Sequence, residues 1–504
     1  MLGIKVSKID FWDKQRIKNH QIEKYLQKGD FIFNSNIDSR LKRSKKSDSK
    51  KFQDILDKSL SIQTLNLDET AYLLSVSDSK NLEKMKEVAF KVKKKVYDNR
   101  IVTFAPLYLG NFCVNDCSYC GFRKSNKYTK RKVLSLAEIE AETKILAGQI
   151  GHKRLIVVYG EHPANDIDYM VDTIKTIYKV EAEVKVEGKS KNRVGQIRRV
   201  NVNAPPLAIE ELKRLKGVGI GTYQVFQETY HRKTYQDVHP QGTIKSDYLW
   251  RLYVMHRALE AGVDDIGLGA LFGLYDWRYE VMGLVAHNRE LEKKFGIGAH
   301  TVSFPRLEPA TNTPFTESPK YKVSDEDFKK LILVLRLSIP HAGMIITCRE
   351  SPQIKKESIA LGITQTDASS KIGIGSYSDR SDNQEGLRQQ FLLSDTRSLE
   401  EVIQEFAKAG SITSFCTAGY RCGRTGECIM ELLRAGKEGK FCKLNAVLTF
   451  REWLDDFASE ETKKIAKKVI NREIQEIKQT LPGVFPQFME YYDRVKKGER
   501  DIYF

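Results

Sequence analysis

Apolar runs of strand length recur along the middle of the chain, and amphipathic stretches with helical spacing separate most of them. The helical stretches include residues 136–146, 167–180, 207–215, 248–261, 279–295 and 325–337. Eight runs predict strands: Ile101–Leu109, Arg154–Tyr159, Arg199–Asn203, Gly219–Phe226, Asp265–Leu271, His300–Pro305, Gly343–Cys348 and Gly362–Thr366. Eight such alternations predict an α/β fold of the (β/α)8 barrel type. A doubly wound sheet is the alternative, but it has no place for an eighth strand that returns to the first.

The regions on either side of the barrel predict helices. Residues 67–97 and 451–481 have helical spacing, and Ser398–Ala409 begins with a Ser cap and acidic residues in its first turn. The chain therefore divides into a basic, partly flexible N-terminal extension (1–66), a helical lead-in (67–100), the barrel (101–384) and a mainly helical C-terminal unit (385–504).

The net charge of +17, from 83 Lys+Arg against 66 Asp+Glu, suggests a nucleic-acid partner. More than half of the excess lies in the first 100 residues, and its densest part is LKRSKKSDSKK at 41–51, which is typical of a solvated linker. We therefore expect no nucleic-acid partner. The mean hydropathy of −0.44 and the lack of a long apolar run predict no membrane partner.

Cysteine placement carries more information than charge. Eight cysteines in 504 residues are too few for a disulfide scaffold, and seven fall into two groups, which indicates a reducing compartment and metal chemistry. The first group is Cys113, Cys117 and Cys120, and the second is Cys416, Cys422, Cys428 and Cys442. Cys348 stands alone and is predicted to be a buried strand residue.

The first group forms a C-x3-C-x2-C loop directly after the first predicted strand. Three thiolates can hold three irons of a cubane cluster, and the fourth iron then stays open to another ligand. A structural zinc site is the alternative, but it normally needs four protein ligands, and no fourth Cys or nearby His completes one. Barrel enzymes also keep their active sites at the C-terminal ends of the strands, which favours a reactive cluster here.

This loop, with an aromatic residue before its last Cys, resembles the radical S-adenosylmethionine (SAM) superfamily. The segment Gly160-Glu161-His162-Pro163 is similar to the superfamily segment that receives the amino group of SAM, and a carboxylate suits an ammonium group. The resemblance becomes more specific in longer strings: RRVNVNAPPL, IGTYQVFQETYH, GALFGLYDWRYEV, HTVSFPRLEPA and GMIITCRESP. These resemble the tyrosine lyases, most closely the HydG family of FeFe-hydrogenase maturases, and next the 2-iminoacetate synthases (ThiH).

The resemblance implies cleavage of L-tyrosine to p-cresol and dehydroglycine, followed by formation of carbon monoxide and cyanide for the hydrogenase H-cluster. It implies a 4Fe-4S cluster with SAM, a second Fe–S cluster, an electron donor of the ferredoxin or flavodoxin type, and other hydrogenase maturation proteins as partners. The expected compartment is the cytoplasm of an anaerobe or the matrix of a hydrogenosome-like or mitochondrion-like organelle. The alternative is a lyase that stops at dehydroglycine.

The resemblance also implies roles for individual residues. Arg306 corresponds to the clamp for the substrate carboxylate, a task for which bidentate geometry favours Arg over Lys. Tyr108 and Glu228 are the other catalytic candidates. Contacts to SAM or substrate are expected from Gly160, Glu161, Gln227, Asn201, Asn203 and Arg199. His287 corresponds to a ligand of an extra iron, although a lone His on an apolar helix is more often a packed residue.

The second cysteine group departs from the family pattern. That pattern is C-x2-C-x22-C; Cys416 and Cys442 occupy its outer positions, and Gly419 stands at the middle one. Glycine offers no ligand atom, so the auxiliary cluster is either impaired or completed by Cys422 or Cys428. A zinc site built from Cys416, Cys422, Cys428 and Cys442 is a third possibility.

Overall fold

The computed structural model describes residues 12–13, 15–26, 29–43, 48–186, 193–379, 385–424, 426–434 and 438–504, with the backbone alone at 420, 430, 433–434 and 438–441. Its strands are β1 (Arg100–Gly110), β2 (Arg154–Tyr159), β3 (Ala182–Val184), β4 (Arg193–Gly195), β5 (Arg199–Asn203), β6 (Tyr223–Gln224), β7 (Ile266–Gly269), β8 (Thr301–Ser303), β9 (Gly343–Ile346), β10 (Gln365–Asp367) and β11 (Ile412–Ser414).

Eight of these strands form a closed parallel barrel in the order β1, β2, β5, β6, β7, β8, β9, β10. The barrel closes where Val102 to Phe104 of β1 pair with Gln365 to Asp367 of β10. This confirms the predicted (β/α)8 fold, and all eight predicted strands are present. The small strands β3 and β4 form a separate antiparallel pair on the outside.

The helices begin where the sequence supplies caps. The hydroxyl groups of Ser135 and Ser398 each accept a hydrogen bond from the backbone N–H three residues on. The carboxylates of Glu138 and Glu401 in turn accept one from the backbone N–H of these serines, which makes two capping boxes. The α-helices span His20–Glu23, Asn34–Arg43, Ser49–Leu60, Leu67–Ser75, Ser79–Tyr97, Leu136–Lys144, Ile167–Lys179, Ile209–Gly217, Arg232–Val238, Tyr248–Leu252, Val254–Glu260, Trp277–Phe295, Asp325–Ser338, Pro352–Ala360, Leu399–Lys408, Ala418–Arg421, Gly426–Arg434, Glu438–Phe457, Glu460–Thr480 and Phe485–Lys496. None of those in the described part of the chain is both long enough and apolar enough to cross a bilayer.

The N-terminal extension is more ordered than its composition suggests. In the predicted linker at 41–51, one helix ends at Arg43 and another begins at Ser49, and the described lysines Lys42, Lys50 and Lys51 are exposed. Asp48 explains the second helix, because its carboxylate caps the N–H groups of Lys50 and Lys51. Further upstream, Arg16 binds Glu211 and the carbonyl oxygen of Pro206 at the rim of the barrel.

The C-terminal region is joined to the barrel rather than set apart from it. β11 pairs in parallel with residues 100–102 at the start of β1. Helices 399–408, 438–457, 460–480 and 485–496 pack around it in a second apolar core that includes Phe406, Trp453 and Phe488. The helical run predicted at 451–481 is two helices, because Ser459 caps a new one.

The barrel interior changes character along its axis. A middle layer is apolar, formed by Phe104, Ile156 and Ile345. Toward the N-terminal ends of the strands, in what we call the lower interior, the buried side chains are polar: Arg154 donates a hydrogen bond to Gln365 at 3.4 Å. Atoms without a protein partner in the described structure include Arg154 Nε, Gln224 Nε2 and Thr301 Oγ1. Buried groups of this kind normally bind water, so the lower interior is suited to polar contents.

Candidate active site

A cavity of about 1100 Å³, including its open mouth, lies at the C-terminal ends of the barrel strands. Eight of the residues singled out in the sequence line it: Tyr108, Cys113, Cys117, Cys120, Gly160, Glu161, Asn203 and Glu228. They follow four different strands, β1, β2, β5 and β6, and the barrel brings their ends to one rim. The cavity is therefore the candidate active site.

The three cysteines of the first group sit on a loop that follows β1. Cys117 is buried, and Cys113 and Cys120 are half-buried. Burial raises the pKa of Cys113 to about 11 and that of Cys117 to about 12, so their thiolate forms need a bound cation. Among the residues that the structure describes, no three His, Cys, Asp or Glu side chains stand within reach of a single metal ion, and a cubane does not require this, since each cysteine binds a different iron.

The loop is held against the segment that follows β2. Val114 N–H donates to the carbonyl oxygen of Glu161 at 2.8 Å, and Asn115 Nδ2 donates to Glu161 Oε2 at 2.6 Å and approaches Cys113 Sγ at 3.8 Å. Gly160 allows this close approach, since an added Cβ would lie 2.3 Å from the carbonyl oxygen of Phe112. The cysteine loop and Glu161 therefore form one unit.

Glu161 presents a free oxygen to the cavity. Its Oε1 is buried without a hydrogen-bond partner in the described structure. Burial raises the pKa of Glu161, and the positive charge of Arg16 opposes that rise. A buried carboxylate oxygen without a donor is costly unless a ligand supplies one, so the chemistry of this position fits an ammonium group. The cysteines and Glu161 together fit a cluster with SAM.

Glu228 is a strained, charged residue on the opposite wall. Its φ of 70° lies in the left-handed region, where a non-glycine residue costs about 1–3 kcal/mol. Its Oε1 accepts from Lys245 at 2.7 Å and from Arg251 at 3.2 Å. Burial alone would raise the pKa of Glu228, but these two cations outweigh burial and leave it below the usual value. Glu228 is therefore ionised and anchors two buried cations.

Replacing Glu228 by Gln is expected to destabilise the fold as well as the site. The substitution leaves Lys245 and Arg251 buried without a counter-charge, which costs about 3 kcal/mol. The unfolding midpoint in urea should fall clearly. The matched control is Glu83→Gln, which removes an exposed ion pair with Lys86 and should change stability by less than about 0.5 kcal/mol. Equal midpoints for the two variants would contradict this assignment.

Arg349 is the cation that faces the cavity from the β9 side. It lines the cavity and stacks on Phe391, with its guanidinium carbon 3.3 Å from the ring centroid. It forms no hydrogen bond or ion pair with any residue that the structure describes. Burial lowers the pKa of Arg349, while Tyr108, Glu308 and Glu228 oppose that shift. An arginine in this state is arranged to receive an anionic ligand.

Arg306 is placed differently from the sequence-based expectation. It does not line the cavity; its guanidinium binds Glu350, which is 1% exposed, and donates to Asp325 at 2.7 Å and to the carbonyl oxygen of Val323 at 3.0 Å. Its donors are thus already used within the protein. Arg306 clamps the loops that follow β8 and β9.

Three further candidates, Asn201, Arg199 and Gln227, do not line the cavity. Arg199, Asn201 and Asn203 alternate along β5, and only Asn203, at the C-terminal end of the strand, is part of the cavity lining. Asn201 accepts from the backbone of Thr222 at 3.0 Å, and Arg199 pairs with Asp265 at 2.7 Å. The side-chain amide of Gln227 is buried and has no hydrogen-bond partner in the described structure, and Gln227 is not part of the cavity lining.

The second cysteine group is divided by the structure. Cys416, Gly419 and Cys442 line one small cavity of about 280 Å³ with Arg100 and Asn445. Cys422 is exposed and lies 3.4 Å from the backbone oxygen of Phe504, and Cys428 is also exposed; neither lines that cavity. Since Arg100 begins β1 and the first group follows its end, the two sites lie at opposite ends of this eleven-residue strand, which is about 33 Å long.

His287 and Cys348 are not among the residues that line either cavity. His287 is buried; its Nδ1 is 3.0 Å from the hydroxyl of Tyr230, and its ring packs on Phe31 and His256. Burial lowers the pKa of His287 to about 3, so the ring is neutral. Cys348 is a buried residue just after β9, beside Lys355 Nζ at 3.4 Å.

Sequence reasoning missed several residues of the cavity wall. Gln390 follows the barrel in sequence, yet its Nε2 donates to Cys120 Sγ at 3.4 Å and its Oε1 accepts from Tyr108 at 3.2 Å. Glu308 and Arg349 also line the cavity. The strand-end positions of Glu308 and Arg349, within FPRLEP and ITCRES, could have identified them, whereas no sequence signal identifies Gln390.

Comparisons with family models agree with this architecture. Residues 107–282 match the model described as the Radical SAM superfamily. Residues 303–412 match the Biotin and Thiamin Synthesis associated domain. The first match covers the cysteine loop, Glu161 and Glu228, and the second covers Glu308, Arg349 and Gln390.

Individual proteins are similar over most of the chain. The 2-iminoacetate synthase of Salmonella typhimurium is 32% identical over 357 residues, 70% of this chain and 88% of that protein. A crystal structure of HydG, a maturase of the FeFe-hydrogenase, is 44% identical with a TM-score of 0.87 and covers 94% of this chain and 100% of that one. HydG from Carboxydothermus hydrogenoformans is 36% identical with a TM-score of 0.74 and covers 92% and 97%.

Proposed function

This chain belongs to the radical SAM superfamily and, within it, to the family of the HydG maturases and 2-iminoacetate synthases, and we propose that it cleaves L-tyrosine to p-cresol and dehydroglycine. We further propose that its C-terminal site serves to convert dehydroglycine into carbon monoxide and cyanide for the hydrogenase H-cluster. The observation that carries the first proposal is one cavity that unites Cys113, Cys117 and Cys120, a carboxylate with one unpartnered oxygen and an unpaired arginine.

The cavity divides its tasks between two walls. When bound, a 4Fe-4S cluster with SAM supplies one-electron cleavage of SAM and a radical that takes a hydrogen from the substrate amino group. Cys113, Cys117 and Cys120 would hold the cluster. Glu161 would accept from the ammonium group of SAM, which gives its buried Oε1 the donor it lacks.

The substrate is proposed to bind between Arg349 and Tyr108. A tyrosine carboxylate needs a cation, and Arg349 lines the cavity without a protein counter-charge in the described structure, whereas Arg306 is held by Glu350. Tyr108 is oriented by Gln390 and by an edge-on contact with Phe122 at 6.1 Å. These contacts orient the amino acid with its side chain along the apolar part of the wall.

Substrate affinity is expected to depend on the ionisation of Glu308. Burial raises the pKa of Glu308 to about 7, Glu350 adds to the rise, and Arg349 opposes it. Below that pH Glu308 is neutral; above it, the anion competes with the tyrosine carboxylate for Arg349. The KM for tyrosine should therefore rise about fivefold, or about 1 kcal/mol, between about pH 6 and pH 8, and Glu308→Gln should abolish the rise. A rise that persists in the Gln variant would contradict this role.

The lyase proposal is tested by product formation. Protein reconstituted with iron and sulfide under anaerobic conditions, then given SAM, dithionite and tyrosine, should release p-cresol. The matched control is Cys348→Ala, which removes a thiol outside both sites and should leave p-cresol formation intact, whereas Cys117→Ala should abolish it. Absence of p-cresol from the wild-type protein overturns the proposal.

The second half of the reaction would take place at the other end of β1. The polar lower interior of the barrel, with Arg154 and Gln224, is suited to a small polar intermediate moving from the cavity toward Cys416 and Cys442. These two cysteines share one cavity, which supports a site for a second Fe–S cluster.

A second candidate function is a lyase that stops at dehydroglycine. The supporting observation is Gly419, which stands in the C-terminal cavity where the family pattern has a third thiolate, while Cys422 lies outside it. Deoxyhaemoglobin separates the two functions, because it captures released carbon monoxide. Production of p-cresol without carbon monoxide would favour the second candidate.

A further inference from the structure

A basic surface loop follows the cluster cysteines directly. Residues 123–132, RKSNKYTKRK, hold six basic residues and no acidic one. We call this segment the cluster-side basic loop. Its exposed residues are Lys124, Ser125, Lys127, Tyr128, Lys130 and Lys132, and Tyr128 is 70% exposed, the largest value among the exposed large hydrophobic residues of the described chain.

The cluster-side basic loop is tied to the cysteine loop by hydrogen bonds. The side chains of Asn126 and Thr129 both donate to the carbonyl oxygen of Gly121, at 2.9 and 2.8 Å. Ser125 N–H donates to Asp116 at 2.9 Å. Arg131 donates to the carbonyl oxygen of Phe122 at 2.7 Å. A protein bound to this loop would therefore lie in a defined position next to the cluster.

The charge of the cluster-side basic loop is only partly neutralised. Lys130 pairs with Glu385 and Lys132 pairs with Glu138. Lys124 and Lys127 form no ion pair with any residue that the structure describes. A positive patch with an exposed aromatic residue at its centre is the arrangement that steers and holds an acidic partner.

We propose that the cluster-side basic loop is the docking surface for a small acidic iron–sulfur protein that reduces the cluster. The inference rests on the proposed function, since cleavage of each SAM consumes one electron. The reduced iron–sulfur centre of the donor loses one electron and the cluster held by Cys113, Cys117 and Cys120 gains it; no bond in the loop changes. Lys124 and Lys127 supply the attraction, and Tyr128 supplies the desolvated contact at the centre.

The test compares a protein donor with a small reductant. The variant Lys124→Glu/Lys127→Glu reverses the two unpaired charges, and Lys467→Glu/Lys468→Glu reverses two exposed charges on the helix Glu460–Thr480 as the matched control. Formation of 5′-deoxyadenosine is measured with reduced ferredoxin and, separately, with dithionite. At low salt the first variant should raise the KM for ferredoxin at least about tenfold, and the control should leave it unchanged. Dithionite-driven rates should be equal in all three proteins.

Three outcomes overturn the inference: an unchanged KM for ferredoxin in the first variant, an equal rise in the control, or a loss of the dithionite-driven rate that matches the ferredoxin-driven loss. The inference is also overturned if the loop binds a nucleic-acid duplex with a similar salt dependence while the Lys124→Glu/Lys127→Glu variant keeps the wild-type KM for ferredoxin. Failure of the proposed function is seen separately, because the wild-type protein would then make no 5′-deoxyadenosine with dithionite. Ferredoxin binding by the three proteins, measured by calorimetry, would still test the surface.

Discussion

Under the second candidate function, in which the wild-type protein lacks the auxiliary cluster, replacing Gly419 by Cys is expected to raise the iron content by about four atoms per chain, one cubane, and to raise carbon monoxide release at least about tenfold. Gly419 lines the cavity that contains Cys416 and Cys442. A Cβ added there would meet Arg424 only at 3.9 Å, which is ordinary contact, so a thiol fits without displacing its neighbours. Three thiolates would then converge where the structure now supplies two.

Gly419→Ser is the matched control for this prediction, since it adds a side chain of similar size without a thiolate. It should leave iron content and carbon monoxide at the wild-type level. An unchanged iron content in Gly419→Cys would mean that another ligand already completes the site; Cys422→Ser would then lower both quantities. Production of p-cresol should be similar in all of these variants, because the first cavity lies at the opposite end of β1.

Replacing Arg349 by Met is expected to raise the KM for tyrosine about 100-fold. The Met side chain is unbranched and apolar but shorter, so it loses both the charged donors and the guanidinium stacking on Phe391; two charge-assisted hydrogen bonds correspond to about 3 kcal/mol. Uncoupled cleavage of SAM without tyrosine, measured as 5′-deoxyadenosine, should remain. That readout separates loss of substrate binding from loss of the cluster.

Arg306→Met should act on stability instead. It leaves Glu350, 1% exposed, without its counter-charge, which costs about 3–5 kcal/mol and lowers the unfolding midpoint. The KM for tyrosine in the fraction that folds should change far less than in Arg349→Met. A large KM effect in Arg306→Met with none in Arg349→Met would restore Arg306 as the carboxylate clamp.

The periodicity of the sequence was sufficient for the fold and for the position of the first site. Eight apolar runs separated by amphipathic helices leave few alternatives to a closed parallel barrel, and a parallel barrel places every strand end, hence Cys113, Glu161 and Glu228, on one rim. The C-x3-C-x2-C spacing added the chemistry, because three thiolates on one short loop suit a cluster with an open iron.

Only the tertiary structure decided which polar residues face the cavity. Arg306 and Arg349 both follow barrel strands, and the sequence does not show that Glu350 and Asp325 occupy the first and leave the second unpaired. Gln390 reaches Cys120 across a sequence separation that no local pattern encodes. Likewise, the spacing alone left Cys422 or Cys428 as a possible third ligand, and only the structure shows that Cys416 and Cys442 line one cavity while these two residues are not part of its lining. Local spacing determines secondary structure, whereas the pairing of side chains depends on contacts between distant segments.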